Sequence, residues 1–263
     1  MRRIVLAFIP LVTMTLVSAL PAAAIVNGQL DGNLHPEVGA LIAEYRQAGE
    51  KDVLCSGTLV APTVFLTAGH CTDFLTSIGV SDVWVTFDSQ FTASSTLLHG
   101  SYVTDPQYGY SGQGGTSDPH DLAVVLLDRA AKEVTPARLP GQNLLGTTNL
   151  SNKTFTAVGY GTVRTGPTTG PNAFFFDSTR RYALQTFLSL EPSWLNLSEN
   201  PSTDNGGTCY GDSGGPHFLG GTSSNLIVSI TVTGDAVCRA TDKTHRVDTP
   251  SARQFLSNYL TLP

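Results

Sequence analysis

The sequence predicts an all-β protein, a sandwich or barrels of short strands, finished by one C-terminal helix. Three observations carry this. Runs rich in β-branched and aromatic residues recur at short intervals, each bounded by Gly, Pro, Asn or Asp. No helical periodicity separates them, so βαβ units are not expected. Charged residues make up only 14% of the 263-residue chain, against roughly 25% in an average soluble domain, and 26 Gly and 15 Pro supply turns.

The strand-like runs are residues 39–45, 58–60, 64–67, 83–87, 122–127, 155–158, 183–188 and 226–232. Residues 108–119 and 162–172, rich in Gly, Thr and Pro, read as exposed loops. Residues 128–141, with Pro136 and Pro140, are the least strand-like stretch mid-chain and read as the connector between two halves, 25–132 and 133–263. Near the end, Ala252, Phe255, Leu256, Tyr259 and Leu260 form an apolar stripe at helical spacing, with Thr249 as N-cap and Pro250 in the first turn.

Met1-Arg2-Arg3, the apolar stretch 4–20 and Ala22-Ala23-Ala24 have the three-part layout of a secretory signal peptide. Pro10, Thr13 and Thr15 interrupt the run, which is shorter than the ~20 residues a membrane span needs, so a cleaved leader is expected rather than an anchor. The mature chain then begins Ile25-Val26-Asn27-Gly28 and is secreted. Fifteen Lys and Arg against 21 Asp and Glu give a net charge of −6, which argues against nucleic acid or an anionic membrane held by bulk positive charge. Four cysteines in an exported chain read as two disulfides with three possible pairings. Sequential pairing, Cys55–Cys71 and Cys209–Cys238, closes two short loops and is favoured. A zinc site is not expected, because no C-x-x-C pair and no His pair at ligand spacing occurs.

Three local patterns carry chemistry. Leu66-Thr67-Ala68-Gly69-His70-Cys71 sets a histidine at the end of an apolar strand. Asp121 stands at the start of the apolar run 122–127, and Gly211-Asp212-Ser213-Gly214-Gly215-Pro216 sets a serine in a Gly-rich turn. Taken singly, each has a bland alternative: a packed histidine, a turn-capping aspartate, a loop. A serine hydroxyl is a poor nucleophile until a base takes its proton, and imidazole titrates near neutral pH, so the combination points to nucleophilic catalysis. Asp118 competes with Asp121 but lacks the apolar run after it. The Gly211-x-Ser213-x-Gly215 spacing also fits a nucleophile elbow, with Asp235 or Asp242 and His245 following. Too little chain follows the serine for that fold, and strand–helix alternation is missing.

Together, these residues resemble the chymotrypsin-like (trypsin-fold) serine proteases. The resemblance is carried by Ile25-Val26-Asn27-Gly28, Cys55-Ser56-Gly57-Thr58-Leu59, residues 66–71 and 121–127, Val158-Gly159-Tyr160-Gly161 and residues 209–216, across essentially the whole mature chain. It implies two packed six-stranded antiparallel β-barrels and a Ser-His-Asp triad of Ser213, His70 and Asp121, with the N–H groups of Gly211 and Ser213 as oxyanion hole. It further implies an activating ion pair between the Ile25 ammonium and Asp212. Because Ala24 rather than a basic residue precedes Ile25, signal peptidase is expected to create that terminus. The specificity pocket is implied at Gly207, Thr208, Gly234 and Asp242. Gly207 and Thr208 are uncharged and Gly234 leaves room, which favours large apolar substrate side chains. Asp242 is expected either to bring a basic preference from another wall or to face solvent. The resemblance implies no cofactor or metal, a polypeptide substrate, protein protease inhibitors as partners, and a monomer. An esterase using the same triad and a non-catalytic binding homologue are the alternatives; inactive relatives usually lose the histidine or serine, and both are kept here.

Overall fold

The computed structural model describes residues 25, 27–109, 117–164 and 174–263. The leader, residues 1–24, lies outside them, as does much of the two expected loops. After a short β1 (Gln29–Leu30), six strands form the first barrel: β2 (Val38–Ala43), β3 (Asp52–Ala61), β4 (Val64–Thr67), β5 (Val83–Thr86), β6 (Leu98–Thr104) and β7 (Ala123–Leu127). Their order is β2-β3-β4-β7-β6-β5, closed by antiparallel pairing of β5 with β2. A helix, α1 (Gly69–Ser77), leaves β4, and a short turn of helix, α2 (Leu144–Thr147), precedes the second half.

The second barrel contains β8 (Thr154–Gly159) and, after the small ribbon β9 (Val163–Arg164) with β10 (Phe174–Phe175), the strands β11 (Arg181–Leu190), β12 (Trp194–Ser198), β13 (Pro216–Leu219), β14 (Ile227–Gly234) and β15 (Thr241–Arg246). The sheet runs β11-β12-β15-β14-β13-β8, and pairing of β8 with β11 closes it into the second six-stranded barrel. β1 adds to the outside of β11, so the N-terminal segment is held by the second barrel. The last element is α3 (Pro250–Leu256).

Every predicted strand run overlaps an observed strand. The apolar residues of these runs, Leu41, Leu59, Phe65, Leu66 and Val124 among them, lie in the core of the first barrel, each fully buried. Burying a side chain of this kind contributes about 1.5–3 kcal/mol. Phe155, Leu195, Leu197 and Val228 do the same in the second barrel. Thr249 caps α3 through a bond from the Ala252 N–H, as its position before Pro250 predicts. Regular helix ends at Leu256, before the whole predicted stripe is used, but Tyr259 and Leu260 still pack against the core. Both disulfides are the sequential ones, Cys55–Cys71 and Cys209–Cys238. Among the described residues no helix is long and apolar enough to cross a membrane.

Candidate active site

The antiparallel ladder of β4 with β7 brings the histidine and aspartate together. Thr67 pairs with Ala123, so continuing the register sets Gly69 opposite Asp121. His70 follows on the first turn of α1. Its backbone N–H donates to Asp121 Oδ1 at 2.7 Å, and its ring Nδ1 lies 2.8 Å from Asp121 Oδ2. Asp121 is fully buried while the His70 side chain keeps 29% exposure. With Nδ1–H donating to the carboxylate, Nε2 is left as an acceptor facing the open side. Asp118 is engaged elsewhere: it accepts from the His120 N–H and from Ser251 Oγ of α3, with His245 Nε2 3.3 Å away.

Ser213 comes from the other barrel. Its carbonyl accepts from the Ser56 N–H of β3 at 2.9 Å, and Ser56 Oγ donates to the Gly211 carbonyl at 3.0 Å while accepting from the Tyr160 N–H at 2.9 Å. Gly214 (φ +78°) fits against the end of β4 so closely that a Cβ there would lie 2.6 Å from the Ala68 nitrogen. Only glycine tolerates both that φ and that contact. The serine turn is thereby pressed against the backbone two residues before His70. Ser213 is half-buried, and its Oγ makes no hydrogen bond among the described residues.

Within the turn, the N–H groups of Cys209, Asp212, Gly214 and Gly215 are all bonded, to Asp212 Oδ2, Cys209 O, Thr231 O and Asp212 O. Those of Gly211 (φ +94°) and Ser213 have no acceptor among the described residues. Asp212 itself is fully buried and accepts from the Gly161 N–H at 2.8 Å and the Cys209 N–H at 2.9 Å. Burial pushes its pKa up to about 7, against those two hydrogen bonds. No cation lies within ion-pair distance of it among the described residues. Ile25 is also buried, at 1% exposure.

A cavity of about 250 Å³ opens beside Ser213, walled by Thr208, Cys209, Tyr210, residues 231–236 and Cys238. Two of the four expected pocket residues, Thr208 and Gly234, are in its wall. Gly207 is not; it abuts Glu199, whose carboxyl fills the space a side chain there would take. Asp242 neither enters the wall nor faces solvent. It is fully buried, with Oδ2 accepting from Gln185 Nε2 at 2.9 Å and His217 Nε2 2.8 Å away. Its strand neighbours turn its side chain into the barrel, where it needs donors. Asp242 is thus held by His217 and Asp235 by the N–H groups of Val237, Arg239, Ala240 and Thr241, so neither acid of the elbow alternative meets His245. A larger hollow of about 510 Å³, lined by residues such as Phe87, Leu98 and Val134 on the first barrel, includes none of these groups.

Reasoning from sequence missed Ser56 as the clamp on the serine turn, and missed Glu199 against Gly207 and His217 against Asp242. Ser56 lay inside a recognised segment, but nothing in a sequence shows that one hydroxyl bridges strands more than a hundred residues apart.

Two closed six-stranded barrels joined in this way are the architecture of serine proteases of the chymotrypsin type. The chain belongs to the Trypsin family, which it matches over residues 41–256. It is 28% identical over 252 residues to a chymotrypsin of Phaedon cochleariae, covering 91% of this chain and 81% of that protein. The fold is similar to that of HL collagenase, with TM-score 0.63 and 17% identity over 88% of this chain and 96% of that one. It is likewise similar to HBP, with TM-score 0.66 and 22% identity over 91% and 98% of the two chains.

Proposed function

We propose that this serine-protease homologue is a secreted endopeptidase that cleaves peptide bonds through an acyl-enzyme on Ser213. The observation that carries the reading is the His70–Asp121 pair, buried on the carboxylate side and open on the ring side, next to a serine turn with two unpaired N–H groups. Ser213 Oγ attacks the scissile carbonyl as its proton passes to His70 Nε2. Asp121 holds the tautomer and stabilises the imidazolium. The Gly211 and Ser213 N–H groups receive the oxyanion. His70 then protonates the leaving amine, the C–N bond breaks, and water repeats the sequence to release the acid. The missing hydrogen bond between Ser213 and His70 fits a site that tightens when substrate arrives.

Activation belongs to the same proposal. Signal peptidase cuts after Ala24, and the Ile25 ammonium supplies the cation that buried Asp212 lacks, setting the turn that carries Gly211 and Ser213. Two disulfides and the Trypsin-family membership support an extracellular setting. The expected action is that of a monomer on polypeptides, open to protein protease inhibitors.

A fluorophosphonate probe on the purified protein tests the reading. Labelling abolished by Ser213→Ala, with peptide amides hydrolysed, is expected; Ser213→Ala lowers kcat by about 10⁶. A folded protein that takes no label is a binding module instead, and one that cleaves only esters is an esterase. N-terminal sequencing of active enzyme tests the processing step, which fails if the chain starts anywhere but Ile25.

A further inference from the structure

We propose that a hollow on the outer side of segment 235–241 binds a small organic carboxylate with an apolar body, and that its occupant regulates the cavity beside Ser213. The binding site stands apart from the peptidase reading; the regulation rests on it. The hollow holds about 560 Å³, within the roughly 300–1,000 Å³ of small-molecule sites. Leu188, Pro201, Val237 and Ala240 supply its apolar lining. Two of them stand in water without a partner surface. The pairing of β11 with β12 shifts register between Phe187 and Ser189, so Leu188 is the extra residue of a β-bulge and is 49% exposed. Val237, 40% exposed, projects from the turn before Cys238.

The polar groups of the hollow are donors short of acceptors. Arg239 is the only charged residue among the described ones that line it. Its backbone N–H serves Asp235, but the guanidinium of this half-buried residue makes no hydrogen bond or ion pair among the described residues. Ser198, buried at the end of β12, accepts from the Asn200 N–H and from Asn205 Nδ2, each at 3.3 Å, while its own hydroxyl hydrogen reaches no acceptor among the described residues. Asn200 Oδ1 accepts from the Ser202 N–H, and Asn200 Nδ2 likewise donates to nothing among them. Acceptors, by contrast, are spent. The carbonyls of Val237, Ala240 and Thr241 receive the Arg164 guanidinium, the Glu199 N–H and the Asp235 N–H.

Free donors around an unpaired cation suit a carboxylate, and the apolar lining favours an aliphatic or aromatic body attached to it. An inorganic anion would leave Leu188 and Val237 in water, and a neutral ligand would leave Arg239 without a counter-charge. Regulation follows from the segment that the two spaces share. Asp235, Ala236 and Cys238 wall the cavity beside Ser213, while Val237, Arg239 and Ala240 line the hollow. Asp235 ties the segment into one piece, its carboxylate accepting from the N–H groups of Val237, Arg239, Ala240 and Thr241. An occupant that fixes Val237 and Arg239 therefore also holds the cavity wall at Asp235 and Ala236, which leaves less ordering for a substrate to impose.

The test titrates 2-naphthoate, and uncharged 2-naphthamide as its match, into the whole protein by calorimetry. Naphthoate is expected to bind about tenfold more tightly than naphthamide, and Arg239→Gln to remove that difference. Leu188→Glu, at an exposed bulge position, is expected to abolish binding of both. Equal binding of the two probes to the parent overturns the site. So does naphthoate binding that neither variant weakens, which is the result that binding in the cavity beside Ser213 would give. Saturating naphthoate is expected to lower KM for a peptide amide about fivefold in the parent and to leave it unchanged in Arg239→Gln. An unchanged or raised KM in the parent overturns the regulation and leaves the site standing. Folded protein that takes no fluorophosphonate label ends the peptidase reading and the regulation with it, while the calorimetry decides the site by itself.

Discussion

Ser56 and Asp212 show how single residues set the geometry of the serine turn. Ser56 offers its N–H to Ser213, its hydroxyl hydrogen to Gly211 and a lone pair to the Tyr160 N–H. Ser56→Ala leaves the Gly211 carbonyl and the Tyr160 N–H unpaired. We expect a stability loss of about 1–3 kcal/mol in urea unfolding, and kcat falling with KM little changed because the oxyanion donors shift. A fall in KM alone would argue against this role. Asp212 has the opposite problem, a buried charge in search of a partner. Its folded pKa of about 7 exceeds the ordinary 3.8, so between those values the native chain keeps a proton that the unfolded chain has lost. Stability contributed by this group therefore declines as pH rises through that window, by up to about 4 kcal/mol, in any form of the chain extended beyond Ile25. If the proposed pairing with a free Ile25 ammonium forms, the folded pKa is expected to fall below the unfolded one and the sign to reverse. Unfolding midpoints at acid and neutral pH, compared between the extended form and the form starting at Ile25, should slope oppositely; equal slopes refute the ion pair.

At the scale of elements, the Cys209–Cys238 bridge spans 29 residues and both its cysteines line the cavity beside Ser213. Replacing the pair with serine is expected to cost about 3–4 kcal/mol on the loop-entropy account. It should also raise KM for peptides while fluorophosphonate labelling persists, because the bridge shapes the pocket and not the His70–Asp121 pair. Apolar strands were legible in the sequence, since short runs rich in Val, Leu, Ile and Phe between turn residues can be buried at successive positions, as β2 and β4 are. Leu98–Thr104, Trp194–Ser198, Pro216–Leu219 and Thr241–Arg246 were not. The last is instructive: Thr-Asp-Lys-Thr-His-Arg has no apolar face, yet Asp242, Thr244 and His245 are fully buried. Bonds from Thr244 Oγ1 to the Leu195 carbonyl and Ser229 Oγ, and the pairing of Asp242 with Gln185 and His217, offset the burial of those two residues, and no local pattern announces them. The helix α1 escaped for a similar reason, as its nine residues carry no continuous apolar stripe.

Across the whole molecule, the two barrels are tied by Arg180, which is fully buried before β11. Its guanidinium donates to Asp31, to the carbonyls of Gly32, Val38 and Phe87, and to the Tyr160 hydroxyl. Val38 and Phe87 belong to the first barrel, Tyr160 and Arg180 to the second, and Asp31 to the N-terminal segment. Arg180→Lys cannot reproduce a planar fork with five bonds, so it is not conservative here. We expect it to destabilise the protein by about 1–3 kcal/mol, read as a lowered urea midpoint, through the freed buried carbonyls, Asp31 keeping its bonds from His35. A variant as stable as the parent would mean that the clamp carries no net energy.

By itself the sequence determined the all-β class, the C-terminal helix and its cap, and the family, and favoured one of three disulfide pairings, because these follow from local periodicity, short loops and contiguous motifs. Tertiary structure alone decided that Gly207 makes room for Glu199 and that Asp242 turns inward to His217. Those outcomes depend on contacts made only once the strands are paired, where the cost of burying a polar group is settled by neighbours that no sequence pattern announces.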